Sequence, residues 1–97
     1  MIAKKHFYGG RMVLALCDSS LLGKKFEEGK LRLDLSGGFY SGEEVSEKML
    51  ESMVSRAYIL NAVGEESVVW IITRRLAKKD DIKRISDVPH VQIIINQ

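Results

Sequence analysis

Three sets of residues in this chain carry side chains that could do chemistry. The first is Cys17, Asp18 and His90, a thiol, a carboxylate and an imidazole. A nucleophile, an orienting acid and a base are built from those types, provided the thiol has a lowered pKa and the base lies within hydrogen-bond reach. Cys17 ends the apolar run from Met12, where burial would raise its pKa, so a small packing residue is the competing reading. The second set is a ligand site of Asp18, Asn61, Gly64, Glu65 and His90. Free N–H groups where a helix opens at Gly64 would bind a phosphate or carboxylate. His90 would donate or accept a proton near neutral pH. Each member also has a plain alternative. Asp18 suits an N-cap, Asn61 a helix end, and His90 a bond to a main-chain carbonyl, while Glu65 and Glu66 oppose an anion.

The third set is cationic. Arg74, Arg75, Lys78, Lys79, Lys83 and Arg84 stand against Asp80 and Asp81, a local charge of +4 over residues 74–84. Such a run can contact successive phosphates with salt-dependent affinity. No aromatic residue is interleaved there, so base stacking is not indicated in that segment. The alternative is a solvated charged face. Residues 43–51 have the opposite bias, with Glu43, Glu44, Glu47 and Glu51 against Lys48. The whole chain carries only +2, so the segregation of charge, not its total, is what suggests a partner.

Other chemistries lack their parts. One Cys makes no internal disulfide, and one Cys with two His makes no zinc finger, so no metal is expected. The acidic residues lack calcium-loop spacing. Gly9-Gly10 and Gly37-Gly38 lack the Lys-Ser/Thr of a phosphate loop and the spacing of a dinucleotide fingerprint, so no cofactor is expected. Apolar runs fall far short of the roughly 20 residues that span a bilayer. Met1-Ile2-Ala3-Lys4-Lys5 is not followed by the apolar core of a signal peptide. These features point to a cytoplasmic protein with no membrane partner.

The elements that must position these side chains follow from pattern. At 97 residues and 45% hydrophobic, the chain is expected to form one domain over 1–97. Residues 2–8 and 11–17 read as strands joined at Gly9-Gly10, the second apolar on both faces. Asp18 would cap a short turn closed by Gly23. Residues 24–30 read as a surface loop anchored by Phe26. Leu31, Leu33 and Leu35 alternate with Arg32 and Asp34, a strand with its leucines inward. Ser41-Gly42-Glu43-Glu44 matches a capping box, and Val45, Met49, Met53, Ala57 and Leu60 recur at helical spacing, predicting a helix over 43–61. Glu65 and Glu66 ahead of Arg74 and Arg75 favour a second helix over 65–77. Residues 80–87 read as a helical turn or a short edge strand, and 90–95 as a last strand after Val88-Pro89. The expected fold is α+β: a mixed or antiparallel sheet of about four strands, order β-β-β-α-α-β, with two helices against it.

Several strings in this order resemble a known family: Cys17-Asp18, Leu21-Leu22-Gly23-Lys24, Phe26-Glu27-Glu28-Gly29, Phe39-Tyr40 with Gly42-Glu43, Asn61-Ala62-Val63-Gly64-Glu65, and Val88-Pro89-His90-Val91-Gln92. Together they resemble the archaeal family known as domain of unknown function 424. The resemblance implies an archaeal, cytosolic, single-domain protein and supplies no activity. Ser86-Asp87 stands where a glycine would be expected in that family.

The reading that follows is a non-enzymatic binding module, with RNA or a ribonucleoprotein as partner through residues 74–84. An enzyme or small-ligand protein using Asp18, Asn61, Glu65 and His90 is the alternative, if strand directions bring those residues to one end of the sheet. A protein-interaction subunit pairing through a sheet edge or the acidic face of helix 43–61 is the third.

Overall fold

A computed structural model describes residues 1–96. Strand β1 (Ile2–Tyr8) turns at Gly9-Gly10 into β2 (Arg11–Cys17). Both glycines take positive φ, +57° and +79°, the geometry of a two-residue hairpin that twists with its strands. A 3-10 turn at Ser19–Leu21 leads to a separate two-stranded hairpin, β3 (Lys25–Glu28) and β4 (Leu31–Asp34). Strand β5 (Glu43–Glu44) is two residues long and pairs with Ile2 and Ala3 of β1. Helix α1 (Glu47–Arg56) follows, then β6 (Ile59–Val63), helix α2 (Glu65–Thr73), a 3-10 turn at Lys79–Asp81, β7 (Lys83–Ile85) and β8 (Val88–Ile94). The main sheet has the order β5-β1-β2-β6-β8-β7, with β2 and β6 parallel and the other pairs antiparallel.

The fold is α+β with two helices, but the expected sheet of about four strands is corrected to six, with a second sheet of two. The largest difference is β6. The expected helix over 43–61 is α1 alone, capped by Ser46, whose hydroxyl accepts from the Met49 N–H at 3.1 Å. Ala57 and Leu60 fit a helical stripe, yet Leu60 and Ala62 also alternate with Ile59, Asn61 and Val63. Pairing with β2 on one side and β8 on the other, with Leu60 and Ala62 buried beneath the helices, overrides the helical period. Ser41 is not a cap, because Glu43 and Glu44 extend the β1 edge instead. A side chain at Gly42 would collide with the Ala3 carbonyl, so this close crossing requires glycine.

The residues 24–30 hold a strand, β3, where a loop was expected. Strand β4 pairs with β3 rather than joining the main sheet; Leu35 is buried, Leu33 half-buried, and Leu31 is 54% exposed. Residues 80–87 contain both expected features, a turn ending at Asp81 and the edge strand β7.

Both helices lie on one face of the sheet, over Leu14, Leu16, Leu60 and Ala62, which pack with Leu50, Val54, Val68 and Ile71. The other face is covered at one end by the hairpin, where Leu35 meets Ile2, Cys17 and Val63. Beyond it the register sets three more rows on that face: Lys4, Ala15, Asn61 and Gln92; His6, Val13, Ile59 and Ile94; and Tyr8 with Arg11. No helix among the described residues is long and apolar enough to cross a membrane.

Candidate functional site

Strands β2 and β6 run parallel and both end beside β8, which begins there. The backbone ties this end together: Asp18 N–H donates to the Val63 carbonyl at 3.1 Å, and Gly64 N–H to the Pro89 carbonyl at 2.8 Å. Asp18, Gly64, Glu65 and His90 therefore meet at one end of the sheet. The route is β6, not the end of a long helix. Asn61 does not join them; it lies mid-strand between Ala15 and Gln92, so it caps no helix.

Asp18, Gly64 and Glu65 at this end already have partners. Asp18 does not cap the turn at 19–21, which has no side-chain cap. Its carboxylate caps α2 from the neighbouring strand end: Oδ2 accepts from Glu66 N–H at 3.1 Å, and Oδ1 from Ser67 N–H and Ser67 Oγ at 2.8 Å each. Gly64 opens α2 with φ +109°, and a Cβ there would run into the Asp18 carboxyl. Glycine offers no capping side chain, and the space it leaves is filled by the acid of residue 18. The N–H groups read from sequence as an anion site are thus met by an internal carboxylate. Glu65 accepts from Arg84 at 2.9 Å.

Cys17 is fully buried, and burial, followed by the Asp18 charge, pushes its thiol up to about 11. The thiolate needed for attack is not formed near neutral pH. Asp18 is turned toward α2, not toward the half-buried His90, whose direct neighbours across the sheet are Val63 and Lys83. Burial, and then the Lys83 charge, hold the His90 pKa below its ordinary value. A concavity of about 400 Å³ beside it is lined by Asp81, Lys83 and Gln92. Among the described residues no group of three or more His, Cys, Asp or Glu is placed to hold a metal ion.

The cationic segment divides into committed and uncommitted charges. Arg74 bridges to Glu51 at 2.7 Å, with its guanidinium 4.0 Å from the centre of the Trp70 ring. Arg84 bridges to Glu65 at 2.9 Å and donates to the Asp87 carbonyl. Arg75, Lys78, Lys79 and Lys83 are exposed, and none forms a salt bridge among the described residues. Helix α2 ends ahead of them in a Schellman motif: Leu76 N–H reaches the Ile71 carbonyl at 3.1 Å and Arg75 N–H the Ile72 carbonyl at 2.9 Å. Arg75 occupies the left-handed position of that motif, φ +59°, where glycine is favoured.

A feature that the linear reading missed is the exposed end of the face opposite the helices. The His6 ring stacks on Phe39, with centroids 4.6 Å apart and planes 6° from parallel. Tyr8 continues this run at 6.4 Å and 19°, and Tyr40 meets Phe39 edge-on. Alternation of His6 with Tyr8 was the available signal, but the face cannot be assembled without β6.

The profile of the family described as protein of unknown function (DUF424) matches residues 6–95. Among solved structures, the chain is similar to an uncharacterized conserved protein from Methanopyrus kandleri, with 30% identity and a TM-score of 0.79. The match covers 99% of this chain and 93% of that one. Comparison with curated proteins finds no match. A family profile spanning nearly the whole chain, together with a solved structure of the same fold, shows that this chain belongs to the DUF424 family of proteins of unknown function.

Proposed function

We propose that this protein is a non-enzymatic RNA-binding module that engages the phosphate backbone through Arg75, Lys78, Lys79 and Lys83. The observation that carries this reading is the split within residues 74–84. Two of six cations are spent on internal carboxylates, and four are exposed without one. Arg75 adds to it. A left-handed helix-end position disfavours a side chain by roughly 1 kcal/mol relative to glycine, yet an exposed arginine stands there. A residue that breaks a local rule without a packing gain is expected where function supplies the gain. The Asp18 carboxylate is committed to α2, the Gly64 N–H to the Pro89 carbonyl and Glu65 to Arg84, which supports the same conclusion. RNA is favoured over a small anion because the four cations are spread along nine residues of chain, from the end of α2 to β7.

The test is fluorescence anisotropy with a labelled RNA across a range of salt concentrations. Neutralising all four cations to Gln should abolish binding at physiological salt and flatten the salt dependence. Binding that survives in the fourfold variant, or that does not weaken as salt is raised, defeats the proposal.

A further inference from the structure

The open end of the sheet presents a surface whose composition fits one kind of occupant. Its three rows contain two cations, Lys4 and Arg11, and no carboxylate. Tyr8 is 60% exposed and extends the aromatic run of Phe39 and His6. Asn61 and Gln92 are direct cross-strand partners, so two side-chain amides stand side by side in the middle of the face. Arg11 lies in the last row beside Tyr8, its guanidinium held 4.3 Å from the centre of the Tyr58 ring.

We infer that this face binds single-stranded nucleic acid. A base lies flat on Tyr8 at the end of the aromatic run, the amides of Asn61 and Gln92 meet base edges, and Lys4 and Arg11 meet the flanking phosphates. The inference rests on the reading of the chain as an RNA-binding protein and adds to it the strandedness of the ligand and a second contact surface. Successive side chains on one strand face stand roughly 6–7 Å apart and neighbouring strands about 4.8 Å apart, a spacing on which unpaired bases can spread. Paired bases hide their faces, so a ring on a flat sheet selects for single strands. Amide side chains both donate and accept, as base edges do. A second copy is a poor occupant, since the same face of a partner offers no carboxylate to meet Lys4 and Arg11. Sequence-independent charge at residues 75–83, near the opposite edge of the sheet, would supply affinity, and this face would supply stacking and base contacts.

The experiment measures anisotropy of a short single-stranded RNA and of the same sequence held as a duplex, with Tyr8→Ala, Tyr8→Phe and Gln92→Ala beside the wild-type chain. Tyr8 and Gln92 are exposed, and circular dichroism of each variant serves as the check that it folds. Tyr8→Ala should weaken single-strand binding roughly tenfold and Tyr8→Phe should restore it, because stacking needs only the ring. Gln92→Ala should weaken it less, and none of these should change duplex affinity. If the three variants bind single strands as the wild type does while the fourfold Gln variant fails, this inference is overturned and the charge reading stands. If wild-type protein binds neither RNA, both are overturned. A dimer seen by light scattering and abolished by Tyr8→Ala would assign the face to a second copy and overturn the inference as well.

Discussion

Replacing Asp18 with Ala should unlock the joint between the sheet and α2. Three donors lose their acceptor: the N–H groups of Glu66 and Ser67 and the hydroxyl of Ser67. Loss of an N-terminal cap costs about 1–2 kcal/mol. Ser67 is fully buried, and leaving its hydroxyl unpaired adds about 1–3 kcal/mol. The expected loss is therefore about 2–5 kcal/mol, a large part of the roughly 5–15 kcal/mol that holds a small domain folded. In urea unfolding, the midpoint should drop by an amount on the order of 1–2 M without a change in slope. Ser67→Ala in the Asp18→Ala background removes the stranded hydroxyl and should recover about 1 kcal/mol, so the two substitutions will not add. Asp18→Asn, which retains one acceptor oxygen, should fall between the wild type and Asp18→Ala. A loss below about 0.5 kcal/mol for Asp18→Ala, or strict additivity with Ser67→Ala, would refute the assignment of Asp18 as the cap of α2.

Other outcomes follow from single positions. Gly64→Ala should destabilise by about 2–5 kcal/mol in the same assay, since its backbone is left-handed and the added methyl meets the Asp18 carboxyl. Arg75→Gly should raise stability by up to about 1 kcal/mol while weakening RNA binding, separating the two roles of that position. The unfolded chain takes up a proton at residue 90 as pH falls through about 6.5, while folded His90, held down by burial and Lys83, resists it. Stability should therefore decline from pH 6.5 downward, with no contribution above that value, and His90→Gln should flatten the decline before carboxylates titrate near pH 4.5. Cys17, buried and with its thiol pushed up to about 11, should react with a thiol reagent at pH 8 only after denaturant is added.

How far the sequence could be read depended on whether local and tertiary preferences agreed. Gly9-Gly10 between two alternating runs specifies a hairpin, because few other residues tolerate two successive positive φ angles. Helix α2 is legible from charge placement around an apolar run, although it closes at Thr73. Strand β6 is not, because Ile59–Val63 satisfies helical and alternating periods at once; only its neighbours β2 and β8 decide. The hairpin of β3 and β4 was obscured because its strands are short, polar and anchored by few buried side chains. Ser86 and Asp87 make a left-handed turn without glycine, helped by the Ser86 N–H bond to Glu28 at 2.9 Å, a contact between distant segments. The meeting of Asp18 with residues 64, 65 and 90 was foreseeable from chain direction. That Asp18 would face α2 was not, since the cap lies 46 positions away in the chain from Gly64 and is defined only in space. The charges of residues 74–84 were visible, but their division into paired and unpaired sets needed Glu51 and Glu65 in place.

The most direct measurement is a two-dimensional amide spectrum of the labelled protein titrated with single-stranded RNA. Shifts are expected in two places, residues 75–83 and the open face at Tyr8, Asn61 and Gln92, with Cys17, Asp18 and Gly64 unmoved. Shifts confined to the Asp18–Gly64–His90 end, or no shifts at all, would contradict it.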